Sequence, residues 1–259
     1  LKIRRRGEGI AMADNLTIYP FNLLGESGVT VTAYADAAYP KSRLYDRSID
    51  FYWQYTATGA FTLSLDQGAS FSKYVDFLAI CNHNFSGATI DWQYSSNGSA
   101  WTNAVAQWTQ SGNAQVVKTL TTSLLYRYWR ISVGSIASPR CTELYMSLGY
   151  PFRIVWGSNP TSQDKDNVEW IPTIGSLERS VKMGATRKSR RYPLFHHQTA
   201  ESTLTNFDVV TAYMDNYSKP FFIKDHDSNY WLARFESISE VQYDAKGMAF
   251  RDVSLVEML

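Results

Sequence analysis

Residues 81–92 read Cys81-Asn82-His83-Asn84-Phe85-Ser86-Gly87-Ala88-Thr89-Ile90-Asp91-Trp92, with a thiol, an imidazole and a carboxylate inside eleven residues. Two readings compete: a reactive or metal site, and the end of one strand, a turn and the start of the next. Cys81 closes the apolar run Phe77–Ile80, where burial raises a thiol pKa instead of activating it. Cys81 and His83 would share one face of a strand, but a structural zinc needs four ligands, and no Cys-x-x-Cys or His-x-x-x-His exists to complete a set. The tandem His196-His197 would point to opposite faces of a strand. Gly87 supplies inexpensive positive φ among Asn and Ser, as a turn requires. The segment is therefore read as strand, bend and strand, with His83 and Asn84 at an exposed tip.

The same logic extends in both directions. Thr89–Tyr94 alternates polar and apolar, with Ile90, Trp92 and Tyr94 on one face. Ser96-Asn97-Gly98-Ser99 follows as a turn, and Trp101 is expected as a core anchor. Tyr126–Val133 alternates as well, burying Trp129, Ile131 and Val133, with Arg127 at that face's edge. Further strands are expected at Val29–Tyr34, Phe51–Tyr55, Phe61–Leu65, Val75–Cys81, Val116–Leu120 and Glu143–Tyr150. Short strands every eight to twelve residues, divided by Gly, Ser, Asn and Asp, predict a sandwich or barrel.

Composition agrees. The 17 Tyr, 13 Phe and 8 Trp favour pleated, half-buried surfaces. With 25 basic against 24 acidic residues, the net charge of +1 offers no global field for nucleic acid or an anionic membrane. The two cysteines are too few for a disulfide scaffold and are expected to be free and buried. No apolar run is long enough to cross a bilayer as a helix, and no signal-peptide core is evident at the N-terminus. The first eleven residues, LKIRRRGEGIA, precede Met12 and fit neither half. They are read as an arm gripping a neighbouring subunit, a disordered tail, or an upstream-start artefact.

Residues 1–15 are thus set apart as an arm, 16–150 as the sandwich, 151–175 as a loop or linker rich in Ser, Asn, Pro, Gln and Asp, and 176–259 as a second module. That module carries the basic stretch Arg179, Lys182, Arg187, Lys188, Arg190 and Arg191, expected as a solvated loop or a subunit contact. A helix is predicted from about Ser202 to Tyr217, capped by Ser202 or Thr203 and ended by Lys219-Pro220. Strands at Phe221–Lys224, Tyr230–Ser237 and Arg251–Met258 complete an α+β unit, one helix on an antiparallel sheet. Asp225-His226-Asp227-Ser228-Asn229 is read as a hairpin turn, its carboxylates as turn formers. No Gly-x-Ser-x-Gly, His-Glu-x-x-His or phosphate loop occurs, so no enzyme, cofactor or metal site is expected.

Several runs carry a family resemblance in order. Ala38-Tyr39-Pro40, Leu44-Tyr45-Asp46, Trp53 and Phe61–Gly68 resemble the entry of a discoidin-like (coagulation-factor C-type, galactose-binding-like) sandwich, or jelly roll. Val75–Ile80, the hairpin Ile90–Trp101, Tyr128–Ile131 and Cys141–Tyr145 resemble its later strands, so the likeness covers about residues 20–150. Gln67 replaces an apolar residue of that pattern, Asn97 replaces the turn's Asp, and the terminal cystine of extracellular members is absent. The resemblance implies ligand contact at the loop tips, for which Tyr39 and Trp53 are candidates beside His83 and Asn84, with core packing preferred for Trp53.

The helix, Lys219–Asp225 and Trp231–Phe235 resemble the C-terminal module of minor tail and distal-tail proteins of long-tailed bacteriophages. That resemblance implies a structural virion protein at the tail tip, made in the host cytoplasm and assembled as a homo-oligomeric ring. Its implied partners are tail tube, hub and fibre proteins and a host-surface glycan, with no membrane and no direct nucleic-acid binding. Arg4, Arg5, Arg6 and the basic residues from Arg179 to Arg191 would face neighbouring subunits. The competing expectation is a monomeric carbohydrate-binding module of a cell-surface or secreted protein.

Overall fold

The computed structural model describes residues 16–34, 36–154, 160–165, 168–172, 178–182, 186–196, 201–214, 219–243 and 249–258. Arg4, Arg5 and Arg6 lie outside these residues. The fold is mainly β, with antiparallel sheets and one α-helix among the described residues.

The first half is a β-sandwich. One sheet runs in the order Thr30–Thr32, Thr58–Asp66, Tyr128–Ala137, Thr89–Ser95 and Thr102–Asn103, with Trp108–Thr109 also paired to Thr89–Ser95. The other holds Glu143–Ser147, Val75–Cys81 and Val116–Leu124. Alternation puts Leu63, Leu65, Ile90, Trp92, Trp129 and Ile131 on the inner face of the first sheet, against Leu78, Ile80, Leu144 and Met146 of the second. Burying each such side chain contributes roughly 1.5–3 kcal/mol before the entropy of ordering it is subtracted. The turn at Asn97-Gly98 forms as its sequence requires: Gly98 has φ 74°, and the Ser95 hydroxyl accepts from the amides of Asn97 and Gly98.

The second half curls. Its large sheet runs Tyr150–Phe152, Leu16–Tyr19, Phe221–Lys224, Tyr230–Ile238, Ala249–Glu257, Arg187–His196 and Thr161–Lys165. A bridge between Ile154 and Leu194 joins the beginning of that path to its next-to-last strand, so the sheet closes into a small barrel. Leu16, Ile18, Tyr192, Leu194, Phe221, Ile223, Val253 and Leu255 fill it, and Phe207 and Val210 of the helix Glu201–Tyr213, with Met214 just after it, pack on that core.

Two strands of the small sandwich sheet, Val75–Cys81 and Glu143–Ser147, are buried on both faces. Phe77, Ala79, Cys81 and Tyr145 point away from the sandwich core onto Tyr19, Phe222 and Leu232 of the barrel. That explains why Val75–Cys81 reads as a continuous apolar run and not an alternating one. Tyr19 stacks on Phe77 at 3.9 Å, and the Tyr145 hydroxyl donates to the Tyr19 carbonyl at 2.8 Å. Beside this seam Tyr213 of the helix meets Phe21 at 4.8 Å and the Lys73 ammonium, 4.2 Å above its ring.

Asp76 lies at the edge of the seam and accepts from the Gly149 amide at 2.9 Å, on the connection between sandwich and barrel. Its carboxyl is pushed up from 3.8 to about 6, chiefly by burial, with the Gly149 hydrogen bond pulling the other way. A raised carboxyl pKa favours the protonated native state, so the stability it contributes is complete below about pH 4 and is lost as pH rises through about 6. Between pH 4 and 7, wild type is expected to lose roughly 2 kcal/mol relative to Asp76→Asn, partial solvent access included. Urea midpoints measured across that range would show it; identical pH slopes for the two proteins would refute it.

Several expectations need correction. Leu16–Tyr19 pairs with Phe221–Lys224 and Tyr150–Phe152, so this strand belongs to the barrel sheet and not to the sandwich. The polar segment 157–166, read as loop, contains the strand Thr161–Lys165, and the basic stretch forms the strands Glu178–Lys182 and Arg187–His196. The pattern was uninformative there because Thr161, Ser162, Gln163 and Asp164 are exposed and Arg187–His196 interleaves basic residues with the buried Ser189, Tyr192 and Leu194. The helix begins at Glu201, so Ser202 and Thr203 lie in its first turn and are not its cap; it ends at Tyr213, before Lys219-Pro220. Trp101 is no core anchor: it lies against Arg130, whose guanidinium is 4.2 Å from its ring, on the partly exposed outer face of the large sandwich sheet.

Candidate functional site

Seven aromatic residues fall between positions 34 and 55, and the chain folds them into one end of the sandwich. Trp53 forms the floor. It is completely buried and its indole N–H donates to the Tyr34 carbonyl at 2.6 Å, which makes it a core residue and not a ligand contact. Above it, the short 3₁₀ turn Lys41–Leu44 is pinned by the buried Leu44, leaving Arg43 on the outside. Asp36 accepts from the Ala38 amide at 2.9 Å and holds the bend that presents Tyr39.

Tyr39 and Tyr52 stack at 5.1 Å with 18° between their planes, and Arg43 lies 5.9 Å from the Tyr39 ring and 5.3 Å from Phe51. The Arg43 guanidinium also donates to the Tyr52 carbonyl at 3.2 Å. Arg140 sits 5.4 Å from the centre of the Tyr52 ring. Tyr34, 61 % exposed, packs on Tyr55 at 4.1 Å, and Phe51 is 57 % exposed. The Tyr39 phenol is pushed above its ordinary pKa, first by its hydrogen bond with Tyr52, so it stays a neutral donor and acceptor. Large rings at this level of exposure beside guanidinium donors make this end of the sandwich the candidate contact surface.

The other sequence candidates divide. Asn84 accepts from the Arg140 amide at 2.8 Å and donates to the carbonyls of Ala137 at 3.3 Å and Ser138 at 3.1 Å, so it positions Arg140. His83 is not at an exposed tip. It is buried, stacked on Phe85 and bonded to the Ala114 carbonyl at 2.8 Å, and burial holds its imidazole below the usual pKa. Arg43, Phe51, Tyr52 and Arg140 escaped the sequence reading, because only folding brings residue 140 over residue 52. The aromatic density of 34–55 was the available signal.

Chemistry elsewhere is muted. Cys81 and Cys141 are free and buried, and burial pushes both thiols up. Asp225, His226 and Asp227 offer ligand atoms within 4.8 Å of one another. However, Asp225 already accepts from Arg190 at 2.5 Å and from the amides of Asp227 and Asn229 at 2.9 and 2.8 Å, so the guanidinium occupies the cation's place. This also corrects Arg190 as a subunit contact, since its side chain is 12 % exposed and turned toward Asp225. Arg191 is exposed and paired with Asp252, Lys188 is exposed and Arg187 partly so. Arg179 and Lys182 lie on the strand Glu178–Lys182, paired with Val168–Pro172.

No protein-family model matches the sequence, and no curated protein matches it. Solved structures similar to about half of the chain include carbohydrate-binding modules and a fucosidase. CpGH89CBM32-6 produced by Clostridium perfringens is 19% identical with a TM-score of 0.42, over 48% of this chain and 97% of that one. The family 32 CBM from C. perfringens NanJ, in complex with galactose, is 20% identical with a TM-score of 0.40, over 51% of this chain and 98% of that one. A GH29 fucosidase from Ruminococcus gnavus, in complex with fucose, is 17% identical with a TM-score of 0.42, over 50% of this chain and 27% of that one. The chain thus spans the full length of the isolated modules and about a quarter of the enzyme.

Proposed function

We propose that the chain binds carbohydrate through the loop cluster Tyr39, Arg43, Phe51, Tyr52 and Arg140, as the binding module of a larger surface assembly. The observation carrying this reading is the Tyr39–Tyr52 stack beside two guanidiniums and flanked by exposed rings. A sugar ring offers apolar C–H faces and a rim of hydroxyls. Aromatic rings cover the former, while Arg N–H groups and phenol oxygens pair with the latter. Asn84 and Trp53 hold the loops beneath, so little ordering cost attends binding. A glycan array probed with wild type, Arg43→Ala and Tyr52→Ala is expected to show retained saccharides whose affinity falls at least about tenfold in each variant. Melting temperatures should stay unchanged. Equal binding by all three proteins, or no retained saccharide, would end this reading.

One observation favours a second reading, in which the chain is a tail-tip or distal-tail subunit of a long-tailed phage. The strand Thr161–Lys165 closes the barrel sheet with no further strand beside it among the described residues, and four of its five residues are exposed. Such an open edge serves strand addition by a neighbour, as a closed ring needs. Light scattering with imaging of intact particles tests it: a ring-sized mass or density at a tail tip is expected, whereas a monomer absent from particles would overturn it.

A further inference from the structure

Arg47 lies between the site residues Arg43 and Phe51 and has the left-handed backbone angle φ 60°, which a residue with a side chain adopts only when its surroundings hold it there. Two sets of contacts do so. Its amide donates to the Glu143 carboxylate at 3.1 Å, and Glu143 is fully buried and also accepts from Asn22 at 2.7 Å. Its guanidinium donates through one nitrogen to two carbonyls, Pro20 at 3.1 Å and Pro220 at 3.2 Å. Pro20 follows the barrel strand Leu16–Tyr19 and Pro220 precedes the barrel strand Phe221–Lys224, and these two strands pair with each other. One side chain therefore ties the aromatic loop of the sandwich to the crossing at Pro20 and to the start of the neighbouring barrel strand at Pro220.

We propose that Arg47 is a strap through which the candidate saccharide loop and the barrel stabilise each other. Filling the loop tightens these two barrel strand ends, and loosening the strand ends frees the loop. The coupling is reciprocal because both effects draw on the same three hydrogen bonds and the same strained backbone. It would let an assembly built on the barrel register whether the sandwich is occupied. The inference rests on the loop being the ligand site.

The test is amide hydrogen exchange on the full chain, with galactose as the probe, for wild type, Arg47→Gly and Arg47→Lys. Glycine accepts positive φ without strain, so Arg47→Gly removes the strap while sparing the turn. In wild type, galactose is expected to slow exchange in residues 43–52 and also in Leu16–Tyr19 and Phe221–Lys224. In Arg47→Gly it should slow the loop alone, and Arg47→Lys, keeping a donor, should fall between. A wild-type response confined to the loop, or a barrel response undiminished in Arg47→Gly, overturns the strap. If galactose protects nothing, the binding reading is at fault for that sugar, and the ligand-free comparison decides. Arg47→Gly should then exchange about tenfold faster in the two barrel strands, and unchanged exchange there overturns the proposal.

Discussion

Replacing Asp225 with alanine is expected to destabilise the barrel by about 3–5 kcal/mol, the cost of leaving a buried charge without its partner. Asp225 is fully buried and collects donors from Arg190 at 2.5 Å, the Asp227 and Asn229 amides and the Trp231 indole at 3.3 Å. The side chain thus folds the hairpin turn and neutralises a guanidinium that is 12 % exposed and lies 5.8 Å over the Trp231 ring. Alanine removes both functions and leaves Arg190 with the more distant Asp227, at 3.5 Å, as its nearby carboxylate among the described residues. Asp225→Asn keeps an acceptor for the turn but not the charge, so its loss should be smaller. Urea denaturation of the three proteins measures the difference. A deficit under about 1 kcal/mol for alanine would mean that Arg190 reaches water without strain, and the account of this corner would be wrong.

Trp129→Ala should cost the sandwich about 3–5 kcal/mol, from lost burial plus the cavity left behind. Trp129 is completely buried between Trp92 at 5.7 Å and Tyr94 at 5.8 Å, and its indole donates to the Tyr126 carbonyl at 3.0 Å. Its neighbours are strands on both sides, facing Leu65 and Tyr94 in register, so the hole cannot close by moving a loop. Trp101→Ala supplies the contrast, since that ring lies outside the core and loses a cation–π contact worth about 0.5–1 kcal/mol. Thermal and urea melts of both variants decide the matter. Equal losses would refute the assignment of one tryptophan to the core and the other to the surface.

Much of the sandwich was legible because most strands of its large sheet keep one wet face, while Val75–Cys81, buried on both, stands out as a bounded apolar run. Thr89–Ser95 and Val75–Cys81 emerge at their predicted bounds, and the bend at Gly87, with φ 84°, is where residues 81–92 placed it. The barrel was less legible. Thr161–Lys165 and the basic strand Arg187–His196 carry charges and hydroxyls where the sequence pattern promises loop, and pairing with Ala249–Glu257 on one side and Thr161–Lys165 on the other makes the latter a strand. Pro193 and the charge run count against a strand locally; eight paired positions outweigh them.

The site divides in the same way. Aromatic density near Tyr39 is a property of the sequence, and so are the apolar alternations, the glycine turns, the buried cysteines and the missing catalytic motifs. Hydrophobic period and turn chemistry act over a few residues, so they are written locally. Whether Trp53 lies beneath the surface, whether Arg140 covers Tyr52, whether His83 faces inward, and whether Leu16–Tyr19 serves the sandwich or the barrel were decided by tertiary structure. Those contacts join residues far apart in the chain, and their choice depends on which surface offers a larger apolar partner or an unpaired carbonyl.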